Sequence, residues 1–479
     1  MSAGDEGRSG HPVLRALAVL LVLALVAGGV AAWRLDLLDE WFGDDPATPD
    51  GPAAVPPPPG LELPAVTRPP EVAAALPGRP RLDPAAVRRA LRPHLSDRDL
   101  GRHVLAVVAP LAAGGPAYTL GTGKAIPAST TKVVTSAAAL YALGAGHVFE
   151  TTVVPAGRGR VVLVGGGDPL LASRPEDAET PYPHRADVVT LARRTAKALR
   201  QRGTRQVRVG YDASLFTGPA ENPRWRADYV PSGEVAPTSA LWVDEGRSPT
   251  GIGRVPDPAA TAAQAFAAAL AEQGIKVQGS PQEAVAPEAA PLATVRSAPL
   301  EGIVERLLTV SDNDAAEVLL RHVGIAQEGA GSIEAGRRGV RRVLQSQGVP
   351  LRGSVLYDGS GLSRANRLDP RVLVDVLRLA ADDAHPDLRA VLTGLPVAGF
   401  TGSLTDRMDQ GPPAGLGRVR AKTGTLTGVS SLAGIAADVD GNAMVFVLMA
   451  DRVRNNRYLF ARVAMDNAAA ALGACRCGR

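Results

Sequence analysis

Ser129 and Lys132 stand three residues apart, just after Pro127 and just before the apolar, alanine-rich stretch Val133–Leu143. A proline followed by such a stretch marks a helix start, and Gly144 marks its end. Side chains three apart on a helix lie on one face, so the spacing predicts a hydroxyl beside an amine. A serine hydroxyl becomes a nucleophile when a base takes its proton. A lysine serves as that base once burial and nearby cations lower its pKa. Free N–H groups at the helix start would also favour an oxyanion forming at this serine. Taken alone, Ser-x-x-Lys occurs by accident in many chains and decides nothing.

Two more short segments carry groups of the same kind. Ser311-Asp312-Asn313 separates the apolar helical stretches Ile303–Val310 and Ala315–Val323. A serine and an asparagine two apart at such a corner can face one cleft, although these residue types also make ordinary helix caps. Lys422-Thr423-Gly424-Thr425 precedes a hairpin; its glycine would let a substrate backbone come close, although a lone Lys-Thr-Gly is more simply a strand end. The lysine count adds weight to both lysine-bearing motifs. The chain has 47 arginines and five lysines: Lys124, Lys132, Lys197, Lys276 and Lys422. Arginine stays protonated near neutral pH, whereas a buried lysine can give up its proton. Lys132 and Lys422 fall inside the motifs; the other three have no such context.

The elements that must position these groups follow from pattern. Asp83-Pro84 opens a short helix with Val87, Leu91 and Leu95. Val104–Val108 and Ala117–Leu120 read as strands around Gly114-Gly115. Ser430–Val439 and Ala443–Val447 flank Asp440-Gly441-Asn442, a hairpin signal, and a last helix covers about Tyr458–Leu472. Strands at both ends with helices between predict an antiparallel sheet assembled from the two ends of the chain. Residues 82–150 and 291–479 are therefore assigned to one catalytic domain. Residues 151–290 carry strands at Arg160–Val164, Gln206–Val209 and Lys276–Gly279, and helices near Val188–Gln201 and Ala259–Gln273. Their proline-rich joints mark them as an inserted module. Upstream, residues 1–15 are polar and assigned to the cytoplasmic side. Residues 16–33 form an 18-residue uncharged stretch, read as a membrane anchor or a cleaved signal. Residues 34–81 are a linker whose proline-rich part, 44–80, cannot bury a core. Either reading of 16–33 places the remainder outside the cytoplasm.

Together, the order Ser-x-x-Lys, Ser-x-Asn, Lys-Thr-Gly is that of penicillin-binding proteins and active-site-serine β-lactamases. The chain resembles the class C low-molecular-mass penicillin-binding proteins, the D-alanyl-D-alanine carboxypeptidase/endopeptidase family. The stretches that carry the resemblance are Pro127–Lys132, Gly165–Pro169, Ser311–Glu317, Asp358–Arg364, Gly399–Leu404 and Lys422–Thr425. The resemblance implies an α/β (α+β) penicillin-binding serine-peptidase fold, an antiparallel sheet plus a helical cluster, with extra material between the first two motifs. Here that material looks reduced to one insert. It also implies Ser129 as the acylated nucleophile, Lys132 as its base, Ser311 as a proton relay and Asn313 as a holder of the substrate backbone. Lys422 would supply positive charge, Thr423 and Thr425 would contact the D-Ala carboxylate beside Gly424, and the N–H groups of Ser129 and Thr425 would form the oxyanion hole. The implied partners are peptidoglycan peptides, β-lactams and, through the N-terminal segment, the membrane.

Two rival readings use the same residues. A β-lactamase would turn penicillin over rather than retain it, and an inactive wall-binding protein would not be acylated at all. Other chemistry lacks support. The seven histidines form no His-Glu-x-x-His pattern, and the only cysteines, Cys475 and Cys477, sit at the C-terminal end, so neither a metal, a cofactor nor a disulfide framework is expected. Gly165–Asp168 lacks dinucleotide-fingerprint spacing and reads as a tight turn, Gly121–Lys124 has Tyr118 where a phosphate loop needs glycine, and Asp358–Gly361 makes no nucleophile elbow. A net charge of +4 without a long basic block argues against nucleic acid.

Overall fold

The computed structural model describes residues 81–176, 182–248 and 250–479. The segments 1–15 and 16–33, and all but the last residue of the 34–81 linker, lie outside the described residues. Among those described, no helix is long and apolar enough to cross a membrane. In chain order the described elements are α1 (Pro84–Leu95), β1 (Val104–Pro110), β2 (Tyr118–Leu120), α2 (Thr131–Leu143), β3 (Glu150–Pro155), β4 (Arg160–Val164), α3 (Val188–Gln201), β5 (Gln206–Asp212), α4 (Pro258–Glu272), β6 (Lys276–Val277) and β7 (Gln282–Glu283). They continue with β8 (Ala293–Arg296), α5 (Leu300–Val310), α6 (Asn313–Glu328), α7 (Ile333–Ser346), α8 (Pro370–Ala381), α9 (Ala390–Thr393), β9 (Val419–Leu426), β10 (Val429–Ala437), β11 (Ala443–Ala450) and α10 (Tyr458–Ala474).

The main sheet runs β2-β1-β11-β10-β9 and is antiparallel throughout, so the two ends of the chain do meet in one sheet. Alternation along its strands feeds two cores, because successive side chains point to opposite faces. Leu105 and Val107 of β1 join Val445, Val447 and Met449 of β11 in a core with α2 and helices α5 to α8. Ala106 and Val108 join Phe446 and Leu448 on the other face, under α1 and α10. Helix α2 is buried from Thr131 to Leu140, as expected of a helix apolar on all sides. Helix α1 starts where Asp83 accepts a hydrogen bond from Ala85 N (3.0 Å) with Pro84 in the first turn, and it buries Val87, Leu91 and Leu95.

A second sheet, β6-β5-β4-β3-β8 with β7 against β5, has its own core under α3 and α4. Strands β4 and β5 are parallel and joined through α3, the connection a parallel pair requires. After β5 the chain runs against α6 before entering α4: Phe216 bridges to Gly331, and Ala236 N donates to Asp314 (2.7 Å). The Gly165–Gly167 run, expected as a tight turn, is a close-packed crossing. Gly165 N donates to Asp212 O and Gly167 N to Ala240 O, and a Cβ on Gly166 would lie 1.9 Å from Glu150 O. Cys475 and Cys477 are bonded to each other, a local loop rather than a framework.

Candidate active site

Ser129 lies in a single turn, Ala128–Thr130, that leads directly into α2. Its backbone is held from three sides. Pro127 O accepts from Thr130 Oγ1 (2.7 Å) and from Ser431 Oγ of β10 (2.6 Å), and Ala128 O accepts from Thr131 Oγ1 (2.9 Å). Gly361, at φ 88°, presses so closely that a Cβ there would sit 1.9 Å from Ala128 O. Ala128 itself has φ 48°, a left-handed conformation that costs a non-glycine residue about 1–3 kcal/mol and persists where surroundings over-determine it. The result is a half-buried serine fixed at the head of a buried helix.

One turn on, Lys132 is fully buried. Its Nζ lies 2.9 Å from Ser129 Oγ, 2.7 Å from Asn313 Oδ1 and 2.8 Å from the Ser360 carbonyl. Burial brings its pKa down to about 8, against the opposing pull of Asp312, Asp358, Glu317 and Asp314. Loss of burial-disfavoured charge leaves an amine able to accept the Ser129 proton.

The Ser360 carbonyl owes its place to a buried loop. Asp358 accepts from Gly361 N (3.1 Å), Ser363 N (2.5 Å), Asn366 Nδ2 (2.7 Å) and Trp225 Nε1 (3.0 Å). Glu317 of α6 accepts from Gly359 N (3.0 Å) and Ser360 N (2.8 Å); burial, and then Asp358, push its pKa up to about 8. Asn313 starts α6, capped by Asp312, which accepts from Ala315 N (3.0 Å). The Asn313 amide is held at both ends, with Oδ1 accepting from Lys132 and one Nδ2 hydrogen donated to Glu234 O (2.7 Å), which leaves its second N–H and a lone pair for a substrate. Ser311 ends α5 in the left-handed conformation, φ 63°, which turns the chain sharply between the two helices.

Lys422, Thr423, Gly424 and Thr425 all lie on β9, the edge strand beside the Ala128–Thr130 turn. A Cβ on Gly424 would lie 2.6 Å from Pro127 O, so the glycine permits this approach. Thr423 Oγ1 is 2.9 Å from Ser403 Oγ, and Thr425 is exposed. Lys422 is fully buried and donates to Thr423 O (3.0 Å). Burial first, then the charges of Lys132 and Arg407, hold its pKa well below the usual lysine value.

A cleft of about 470 Å³ gathers Ser129, Ser311, Asn313 and Thr425 on its wall. Lys132 forms part of the support beneath the serine, while Lys422 and Thr423 sit further along β9. The same cleft is lined by residues that the sequence pattern did not single out: Arg226, Asp228, Tyr229, Ser232 and Glu234. They come from an irregular stretch with no periodicity to mark it. Among the described residues one acidic group, Glu245, Asp312 and Asp314, has carboxylate oxygens within 4.8 Å of one another. Arg306, Arg247 and Arg254 pair with these carboxylates, supplying the positive charge a metal would bring.

The arrangement has counterparts in known proteins. A family model described as the D-Ala-D-Ala carboxypeptidase 3 (S13) family matches residues 87–254 and 248–472. Carboxypeptidase DacB of Mycolicibacterium smegmatis is 38% identical over 360 residues, 74% of this chain and 76% of that one. A carboxypeptidase of Mycobacterium tuberculosis is 35% identical over 408 residues, 82% of this chain and 85% of its own length. The crystal structure of penicillin-binding protein 4 from Haemophilus influenzae has the same fold, with a TM-score of 0.63 at 21% identity over 79% of this chain and 97% of that one. A family match along nearly the whole described chain, with relatives well above 30% identity, leads to one conclusion: the chain belongs to the D-Ala-D-Ala carboxypeptidase 3 (S13) family.

Proposed function

We propose that this serine-type D-Ala-D-Ala carboxypeptidase acts on peptidoglycan stem peptides and cross-links outside the cytoplasm, through an acyl-enzyme on Ser129. The observation that carries the reading is the placement of Lys132 Nζ 2.9 Å from Ser129 Oγ, buried and with its pKa lowered to about 8. Neutral Lys132 takes the Ser129 proton as Oγ attacks the carbonyl carbon of the penultimate D-Ala. The N–H groups of Ser129 and Thr425 stabilise the oxyanion. Collapse breaks the C–N bond, and the departing amine of the terminal D-Ala receives the proton from Lys132 by way of Ser311. Water then attacks the ester, releases the shortened peptide and restores the serine. Asn313 holds the substrate backbone, and Thr423, Gly424 and Thr425 receive the D-Ala carboxylate near the charge of Lys422.

A β-lactam presents the same carbonyl in a ring, so its opening leaves a stable adduct on Ser129. The Haemophilus influenzae penicillin-binding protein 4 of like fold has been solved in complex with a novel β-lactam, which supports this extension. Its substrate class places the enzyme in the cell envelope. Residues 16–33 serve as its export signal or anchor and 34–81 as its spacer; the module inserted into the catalytic domain reaches a little beyond the expected 151–290, because its sheet takes in Glu150 and β8 up to Arg296. The test is release of free D-Ala from a peptide ending in D-Ala-D-Ala and from defined cross-linked muropeptides. Wild-type protein should release D-Ala and Ser129→Ala should not. Equal release by both would remove Ser129 from the mechanism.

A further inference from the structure

The Ser311-Asp312-Asn313 corner is gripped by a segment that takes no part in the chemistry above. Asn313 Nδ2 donates to Glu234 O (2.7 Å), and on the next residue Asp314 Oδ1 accepts from Ala236 N (2.7 Å). Arg254 ties the same segment in three times, donating from Nη2 to Asp314 Oδ2 (2.5 Å), from Nη1 to Glu245 O (2.9 Å) and from Nε to Gly233 O (3.2 Å). Glu245 then reaches across to α5: its Oε1 accepts from Arg306 Nη2 (2.6 Å), while Arg306 Nη1 donates to Asp312 Oδ2 (2.5 Å). Both neighbours of Asn313 in the sequence are thus fixed through Glu245 or the chain around it.

The backbone at Glu245 is unusual in a way that serves this contact. Asp244, Glu245 and Gly246 have φ values of 51°, 59° and 64°. Two consecutive non-glycine residues in the left-handed region are costly, and such strain collects where function fixes the geometry. Here it turns a carboxylate inward until its side chain is 3% exposed. Buried ion pairs contribute little net stability once desolvation is counted, and their best-attested use is to specify one geometry.

We propose that Glu245 is a positioning residue: through Arg306 and Asp312 it fixes the start of α6 and so presents Asn313 to Lys132. The inference rests on the reading of Asn313 as part of the catalytic machinery. Glu245→Gln keeps the shape and an acceptor but removes the charge. Arg306 is then drawn to Asp312 alone, and Asp312 is the residue that caps α6 beside Asn313.

The experiment measures the rate of acylation by penicillin in the full chain for wild type, Glu245→Gln, Asn313→Ala and the double variant. Misplacing a reacting group by a fraction of an ångström to one ångström costs roughly 10- to 100-fold, so Glu245→Gln should lose that much. In the Asn313→Ala background the same change should cost less than about 3-fold, because residues acting through one contact are non-additive. Should Glu245→Gln fail to fold, Arg306→Lys, which keeps the charge and breaks the two-pronged bridge, is read in the same two backgrounds with the same expectation. Equal losses in both backgrounds, or no loss from Glu245→Gln while Asn313→Ala is impaired, would overturn the proposal alone. Wild-type acylation by Asn313→Ala would overturn the reading beneath it, and the proposal with it.

Discussion

Lys132 Nζ faces Ser129 Oγ at 2.9 Å, while its two other neighbours, the Asn313 amide oxygen and the Ser360 carbonyl, are both acceptors. A neutral amine has two N–H groups and one lone pair. Once the ammonium loses a proton, the two acceptors hold the remaining hydrogens and the lone pair is left toward the serine. The geometry thus selects which proton leaves and where the base points.

The pH dependence follows in sign and range. Lys132 is active as the neutral amine, and its pKa is lowered to about 8. Below that value the neutral fraction falls about tenfold for each pH unit. Acylation by penicillin should therefore rise about tenfold between pH 6 and 7, bend near 8 and level off above it. Stopped-flow measurement with a fluorescent penicillin checks this. A flat profile from pH 6 to 8 would exclude Lys132 as the titrating base.

Arginine substitutions separate the two buried lysines. Lys132→Arg cannot deprotonate, and loss of a general base costs about 10²–10⁴-fold. Lys422→Arg keeps a positive charge, so it should lose roughly 5- to 150-fold, the scale of one displaced hydrogen bond to a charged group. Lys422 is fully buried near two other cations, so its charge is best sustained when a substrate carboxylate arrives. Measured acylation rates in the reverse order, or equal ones, would mean that the two roles are exchanged or shared.

Much of this site was legible because its spacing follows simple periods. Ser129 and Lys132 share a helix face by position alone, and the break between α5 and α6 is marked by Ser311-Asp312-Asn313. Four strands of the main sheet are legible, cut short at β1 and β11 and overrun at β10, since strands buried on both faces show apolar runs with no alternation to mark their ends; β9 has no bounds in the pattern beyond its Lys-Thr-Gly. Ser360 and Glu317 fall inside stretches that carry the family resemblance, but nothing local shows what either does. Ser360 contributes a backbone carbonyl, which any residue type could offer. Glu317 lies in an apolar helix, where a lone glutamate reads as solvent-facing, yet it is 2% exposed and pins the 359–360 backbone. Asp228, Tyr229 and Glu234 reach the cleft through tertiary contacts of an irregular segment.

Gly361 offers a test of how the nucleophile is held. Gly361→Ala places a Cβ 1.9 Å from Ala128 O, one residue before Ser129, at φ 88°. Gly348, at φ 67°, has nothing within 4 Å of such a Cβ. Both alanine variants suffer the left-handed strain of about 1–2 kcal/mol, and Gly361→Ala must also shift the serine backbone. Thermal unfolding should fall in both, while acylation should fall in Gly361→Ala and stay near wild type in Gly348→Ala. Equal acylation by the two would show that the Ala128 contact does not set the serine's position.

Every step proposed above depends on Ser129 carrying the acyl group. The direct measurement is intact-protein and peptide mass spectrometry after incubation with benzylpenicillin, on wild type and Ser129→Ala. A covalent adduct is expected on the peptide containing Ser129 in the wild type, and none in the folded Ser129→Ala variant. An adduct that persists in Ser129→Ala, or that maps to another residue in the wild type, would contradict it.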